Sequence, residues 1–89
     1  MEWWADSVPV VVGRGKTVAV NNPRRAAEIL LYEWPGDAKL PKHRTARAAV
    51  LKALENAADA KASMAARRAF DAAVKEAGIR GAGFDRSKS

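Results

Sequence analysis

The chain has 89 residues, of which 48% are hydrophobic and 29% charged, and its formal net charge is +6. It contains no cysteine, which excludes a disulfide framework, a cysteine-ligated metal site and a thiol nucleophile. No run of large apolar residues approaches the about 20 that cross a membrane, and the acidic start lacks the basic region of a secretory signal. We therefore expect a small, basic cytoplasmic protein with no membrane segment.

A β-hairpin is predicted near the start, after a short arm at residues 1–7. Two valine-rich runs, 8–12 and 17–20, flank the sequence Gly13-Arg14-Gly15-Lys16. β-Branched residues favour strands, and glycine adopts the positive φ angles of a tight turn. Pro9 has no amide donor, which places that part of the first strand at an edge of the sheet. The side chains expected to face the core alternate along the strands: Val8, Val10, Val12, Val18 and Val20.

The first helix is predicted to begin at Asn21-Asn22-Pro23, because asparagine is a favoured N-cap and proline suits the first helical position. It continues to about Glu33 and ends there, since the residue before Pro35 avoids the α region. Ile29 and Tyr32 are expected to be partly exposed, because they lie outside the apolar stripe. That stripe consists of Ala26, Ala27, Leu30, Leu31 and Trp34.

Two further helices are predicted. The second runs from Pro41 to about Asn56, which can end it in the left-handed conformation. The third covers roughly residues 63–77, with Asp59 and Ser63 as competing caps at its start and Gly78 at its end. The stripe of the second helix holds His43, Ala46, Arg47, Val50, Leu51 and Leu54, and that of the third holds Ala66, Phe70, Ala73, Val74 and Ala77.

These elements predict an α+β fold in which an N-terminal β-hairpin packs on three α-helices, in the order ββααα. We assign residues 1–7 to an arm, 8–79 to a single domain and 80–89 to a disordered basic tail. The large residues expected to form one core with the inner valines are Leu30, Leu31, Trp34, Val50, Leu54, Phe70 and Val74.

Three stretches of the chain resemble a known family. They are Ala-Ala-Glu-Ile-Leu-Leu-Tyr-Glu-Trp-Pro at 26–35, His-Arg-Thr-Ala at 43–46 leading to Ala-Leu-Glu at 53–55, and Ala-Arg-Arg-Ala-Phe at 66–70 ending in Glu-Ala-Gly-Ile at 76–79. Together with the first strand they resemble domain-of-unknown-function family 982, from rhizobia and related alphaproteobacteria, over residues 8–79. The chain departs from the family at 56–62, which lacks the usual glycine and proline. The resemblance implies this fold and a bacterial origin, but no activity.

Few residues are candidates for chemistry. Gly15-Lys16-Thr17 is similar to the end of a phosphate-binding loop, but Val10 stands where the opening glycine belongs and a strand follows, so we interpret it as a hairpin turn. His43 is the only histidine, so any acid–base or metal role would depend on it. Without a second histidine, we expect its ring to pack against the hairpin or Trp34. We therefore predict no enzyme activity, no catalytic residue, no metal and no cofactor.

Positive charge concentrates in residues 14–52, which hold nine lysines and arginines but three acids. Several of these cations lie in first helical turns, where backbone amides point outward and an anion can bind. The alternative is an ordinary solvated surface in which long side-chain stems cover alanine. Arg47, on the apolar stripe, is expected to be partly buried. The candidate anion-binding residues are Arg24, Arg25, Lys42, His43, Arg44 and Arg47.

We interpret the chain as a small non-enzymatic binding or adaptor protein of unknown function. The alternative is binding of nucleic acid or another polyanion through the basic surface. The sequence does not identify the partner; an acidic protein and a nucleic acid are the two candidates. Because a two-stranded sheet leaves an edge unpaired, the chain is expected to be a monomer or a weak homodimer joined through the hairpin edge.

Overall fold

The computed structural model describes residues 4, 7–12, 16–35, 39–56 and 58–81. A two-stranded antiparallel sheet is followed by helices, so the predicted α+β order ββααα is confirmed. The hairpin turn at 13–15, most of the arm and the tail beyond residue 81 lie outside the described residues. The elements are β1 (Val8–Val12), β2 (Lys16–Val20), α1 (Pro23–Glu28) with a following π-helical turn (Ile29–Glu33), α2 (Pro41–Glu55) and α3 (Ala60–Ala77).

The inner face of the hairpin is the one that valine alternation predicts. Val8 lies opposite Val20 and Val10 opposite Val18, so these side chains share a face. Val8, Val10 and Val20 are fully buried. Val12 and Val18 are partly buried against the same cluster, which confirms the predicted face.

The outer edge of β1 is covered by the segment that follows α3. The Val11 amide donates to the Ile79 carbonyl at 2.7 Å, and the Gly81 amide donates to the Pro9 carbonyl at 2.9 Å. Pro9 therefore lies on the outer side of the hairpin as predicted, but that side is paired. Arg80 and Gly81, predicted to belong to the disordered tail, thus pair with β1. Glycine is required at position 81, because a Cβ there would lie only 2.7 Å from the Thr17 methyl group.

The homodimer expected at the hairpin edge stays a prediction. Because the edge of β1 is paired within the chain, a second copy could add only to the edge of β2. Within the described residues, no strand other than β1 pairs with β2. At the end of β2 the Asn21 carbonyl accepts a hydrogen bond from the Trp4 amide at 2.6 Å. An approaching second copy would thus find the backbone of residues 17–19 as its edge.

Helix α1 begins as predicted and ends in a different way. The Asn22 side chain accepts from the Arg25 amide at 2.8 Å, and Pro23 occupies the first helical position. The helix stops after Glu33, but its last turn is π-helical. In a π turn the repeating hydrogen bond spans five residues rather than four, which rotates the side chains that follow.

One part of the predicted stripe is wrong. Ile29, expected at the surface, is fully buried, whereas Leu31, expected in the core, is 42% exposed. Ile29 follows the buried Ala26 by three residues and lies on the same face of the helix, whereas Leu31 lies beyond the edge of that face. Tyr32 is exposed, as predicted.

Helix α2 is also rotated relative to the prediction. Its buried face consists of His43, Ala46, Val50 and Ala53, whereas Leu51 is 38% exposed and Arg47 is exposed. Because α2 packs against both α1 and α3, its buried face centres between these two neighbours, and the small Ala53 allows close approach of a helix. The predictions of a buried Leu51 and a partly buried Arg47 were wrong.

The connection from α2 to α3 is a short turn. Asn56 ends α2 with φ −124°, which is not the predicted left-handed conformation, and its side-chain amide donates to the Lys52 carbonyl at 3.0 Å. That bond satisfies a carbonyl at the helix end without a positive φ. The Asp59 amide then donates to the Asn56 carbonyl at 2.8 Å.

Helix α3 is defined by a cap at each end. The N-cap is Asp59 rather than Ser63, because the Asp59 carboxylate accepts a hydrogen bond from the Lys61 amide at 2.9 Å. Gly78 ends the helix with φ 73°, and the Ile79 amide donates to the Val74 carbonyl at 3.1 Å, as in a Schellman motif. The predicted glycine stop is confirmed.

The core lies between the hairpin, α1 and the α2–α3 pair. Phe70 is fully buried at its centre, 6.1 Å from the ring centroid of Trp4 and 6.5 Å from that of Trp34. The Trp4 indole N–H donates to the Ser63 hydroxyl at 3.1 Å, which ties this residue to α3. Of the predicted core, Leu30, Val50, Phe70 and Val74 are buried, Trp34 and Leu54 are partly buried, and Leu31 is outside it.

Candidate anion-binding surface

The cations predicted to bind an anion divide into two groups. Arg24, Lys42, Arg44 and Arg47 are exposed. Arg44 and Arg47 stand three residues apart on α2 and therefore project from neighbouring positions of its surface. Arg25, by contrast, is half-buried and paired with carboxylates, and His43 is buried.

Arg25 is held by two carboxylates. Its guanidinium lies 2.8 Å from the Glu33 carboxylate and 3.0 Å from that of Glu28. Hydrogen bonds from Glu33 and then from Glu28 raise the pKa of Arg25 above its ordinary value. Because its charge is balanced by these neighbours, Arg25 adds little to the attraction of an external anion.

His43 is 2% exposed, so the structure brings no imidazole to the surface. Its Nε2 lies 3.0 Å from the Leu30 carbonyl oxygen, and its ring meets the edge of Trp34 at a centroid distance of 4.9 Å. The predicted packing of His43 against Trp34 is confirmed. The Leu30 carbonyl needs this side chain, because the residue five positions later is Pro35, which has no N–H to complete a further π-helical bond.

The first turn of α2 is already capped by a carboxylate. The Lys42 amide donates to Glu76 Oε1 of α3 at 3.0 Å. A negative group at a helix N-terminus is favourable, and Glu76 occupies that position from within the chain. An anion at this end of α2 would therefore not find a free Lys42 amide.

The carboxylates of the described residues are nearly all engaged with the protein itself. Glu28 and Glu33 pair with Arg25, Asp59 caps α3, and Glu76 caps α2. Asp71 pairs with Lys75 at 3.2 Å and with Arg80 at 3.0 Å. Five of the six described carboxylates thus have a partner elsewhere in the protein, and these five do not pair with the side chains of the exposed cations of α2.

The charge balance of Asp71 predicts a pH effect. Burial raises the pKa of this carboxyl, but hydrogen bonds from Arg80 and Lys75 outweigh it and hold the pKa below its ordinary value. The stabilisation of the folded state by ionised Asp71 is therefore complete above the unfolded-chain pKa of about 3.9. It disappears as the pH falls through the lower pKa that Asp71 has in the folded protein. We expect Asp71→Asn to lower the free energy of unfolding at neutral pH, with the deficit shrinking below about pH 4.

Urea unfolding followed by circular dichroism across this pH range measures the deficit. Glu55→Gln is the matched control, since the exposed Glu55 has no ion pair among the described residues. A deficit for Asp71→Asn that is the same at pH 7 and pH 3 would contradict an ionic origin.

Comparison with known proteins identifies the family. Residues 6–80 match the family described as Protein of unknown function (DUF982). The chain belongs to this family. The resemblance seen in its three sequence stretches is thereby confirmed, and the DUF982 match spans both the hairpin and all the helices. No curated protein and no solved structure matches the chain.

The described part of this DUF982 protein contains no group of three or more histidine, cysteine or carboxylate residues placed to hold a metal ion. Nor does any of the described helices combine the length and the apolar character that crossing a bilayer demands. A phosphate-binding loop at Gly15-Lys16-Thr17 would have to be followed by a helix, but Lys16–Val20 form strand β2.

Sequence reasoning missed Glu76, the residue that caps α2. Its partner Lys42 lies 34 residues away, and no local spacing links the two. The signal available in the DUF982 sequence was indirect: α2 begins with Pro41 at its first position but has no side-chain cap in the preceding residue, Leu40. A helix start without a local cap indicates that a distant group satisfies its amides.

Proposed function

We propose that this DUF982 protein is a non-enzymatic binding protein that holds a polyanionic partner on the exposed cations of α2 and on Arg24 of α1. The observation that carries the proposal is the distribution of carboxylates. Five of the six described ones are engaged internally, whereas Lys42, Arg44 and Arg47 are exposed. A bacterial, cytoplasmic setting, expected from the sequence, belongs to the same proposal.

Electrostatics supports a polyanion over a neutral ligand. The chain carries a net charge of +6, and within α2 Glu55 is the only acid beside four lysines and arginines. Cations gathered on one helix attract phosphates of nucleic acid or carboxylates of an acidic protein by the same Coulomb force. Exposed arginines add bidentate hydrogen bonds to either group.

A binding role is favoured over catalysis by the position of His43. It is the only histidine of the chain, and its ring is buried with Nε2 committed to the Leu30 carbonyl. A general acid or base must reach the substrate within hydrogen-bond distance, and a ring enclosed by the core does not. The imidazole instead joins the π turn to α2.

Binding to a short DNA duplex at low salt tests the proposal. With Arg24, Lys42, Arg44 and Arg47 as contacts, the logarithm of the association constant is expected to fall with the logarithm of salt at a slope of about −3 to −4. Removing two contacts in Arg44→Gln/Arg47→Gln should reduce the slope by about 2. Fluorescence anisotropy from about 50 to 200 mM salt measures both, and heparin and an acidic protein replace DNA in parallel titrations.

The matched control is Lys61→Gln/Arg68→Gln, which removes the same charge from exposed positions of α3. It should leave the slope unchanged if α2 forms the contact. Equal losses in the two double variants would show attraction by net charge alone. No binding to any of the three polyanions at about 50 mM salt, where such attraction is strong, would leave α2 as an ordinary solvated surface.

A further inference from the structure

Two buried polar nitrogens belong to touching rings at the junction of the π turn and α2. Trp34 Nε1 and His43 Nδ1 are both buried, and neither has a hydrogen-bond partner. Their rings are in contact, with centroids 4.9 Å apart and planes inclined at 65°. Buried polar groups are nearly always hydrogen-bonded, so two orphaned atoms on touching rings indicate a group that the protein does not itself supply.

The roles of the two nitrogens are fixed by chemistry. A carbonyl oxygen only accepts, so the 3.0 Å contact between His43 Nε2 and the Leu30 carbonyl requires the hydrogen to be on Nε2. In the neutral ring this leaves Nδ1 as an acceptor. The indole Nε1 of Trp34 is a donor only. The site therefore offers one donor and one acceptor.

The other core tryptophan shows what a satisfied indole looks like in the same surroundings. Trp4 and Trp34 both lie against Phe70, at centroid distances of 6.1 and 6.5 Å. The Trp4 N–H donates to the Ser63 hydroxyl at 3.1 Å. A hydroxyl group is thus the partner that this core already provides for one indole, and the second indole lacks it.

We propose that Trp34 Nε1 and His43 Nδ1 form a two-point binding site for a single hydroxyl group, either a water molecule or a small alcohol. The hydroxyl oxygen accepts from the Trp34 indole and the hydroxyl hydrogen is donated to His43 Nδ1. An anion cannot donate to Nδ1, and an ammonium group cannot accept from the indole, so neither satisfies both atoms. This site lies inside the molecule and is separate from the cations of α2.

Nuclear magnetic resonance of the 15N-labelled full chain tests the site without any substitution. A long-range nitrogen–proton spectrum is expected to show His43 with its hydrogen on Nε2. A water-selective Overhauser experiment is expected to give a cross-peak from the Trp34 indole proton to a long-lived water. The Trp4 indole proton, bonded to Ser63, is the internal control and should give none.

Titration with methanol separates the two sources of the hydroxyl. A saturable shift of both the Trp34 indole proton and His43 Nδ1 shows that the site accepts an alcohol, whereas a water cross-peak without that shift identifies water as the occupant; either supports the site. Acetonitrile, which accepts but does not donate, is the control: it can accept from the Trp34 indole but should leave the His43 Nδ1 signal unshifted. The proposal is overturned by a hydrogen on His43 Nδ1, by a direct Trp34–His43 hydrogen bond, or by absence of both the cross-peak and the methanol response.

Discussion

Replacing Phe70 by alanine is expected to lower the free energy of unfolding by about 3–5 kcal/mol. Phe70 is fully buried, and its ring lies between those of Trp4 and Trp34. Its removal leaves a cavity that α3 cannot close, because Asp59 and Gly78 hold both helix ends. A domain of this size is stable by only about 5–15 kcal/mol, so the variant should be partly unfolded well below the wild-type melting temperature.

Urea and thermal unfolding followed by circular dichroism measure this loss. Met64→Ala is the matched control, because Met64 belongs to the same helix but is 62% exposed. It should change the free energy of unfolding by less than about 1 kcal/mol. If the melting temperature of Phe70→Ala lay within a degree or two of the wild type, the assignment of Phe70 to the centre of the core would be wrong.

Replacing Ile29 by alanine is expected to cost about 2–5 kcal/mol, whereas Leu31→Ala should cost less than about 1 kcal/mol. The two residues are near neighbours of similar size, and ordinary α-helical spacing predicts the opposite order. The structure reverses this order, because Ile29 is completely buried and Leu31 is 42% exposed. The pair of variants therefore measures the phase of the helix.

Unfolding in urea gives both values under one set of conditions, and the two variants control for each other. Both remove a branched four-carbon side chain, so their difference reports burial rather than composition. A larger loss for Leu31→Ala than for Ile29→Ala would show that Leu31, and not Ile29, lies on the buried face of this helix.

Some starts and ends of the elements were predictable because they depend on residues that are close in sequence, although α3 begins at Ala60 rather than near residue 63. Asn22 accepts from an amide three residues away, and Gly78 adopts a positive φ that other residues avoid. The alternation of valines likewise defined the inner face of the hairpin, since successive side chains of a strand point to opposite sides. The order ββααα follows from these local signals.

The candidate site was predictable only in part. The exposed cations Arg24, Lys42 and Arg44 lie where a charged side chain in a first helical turn is expected to be. The sequence did not predict that carboxylates balance the charge of Arg25, because its partner Glu33 lies at the end of the π turn, eight residues along the chain. His43 was correctly expected to pack against Trp34, but nothing in the sequence indicated its bond to the Leu30 carbonyl.

The sequence by itself determined the elements, their order, the Asn22 cap of α1, the Gly78 cap of α3 and the excess of positive charge, because each depends on composition or on neighbours within a turn or two. The tertiary structure alone decided how α1 and α2 are rotated, which carboxylates are engaged, and that Trp4 and residues 79–81 join the fold. The physical reason is distance along the chain. A contact such as that between Lys42 and Glu76 joins residues 34 positions apart, and it exists only once the helices have packed.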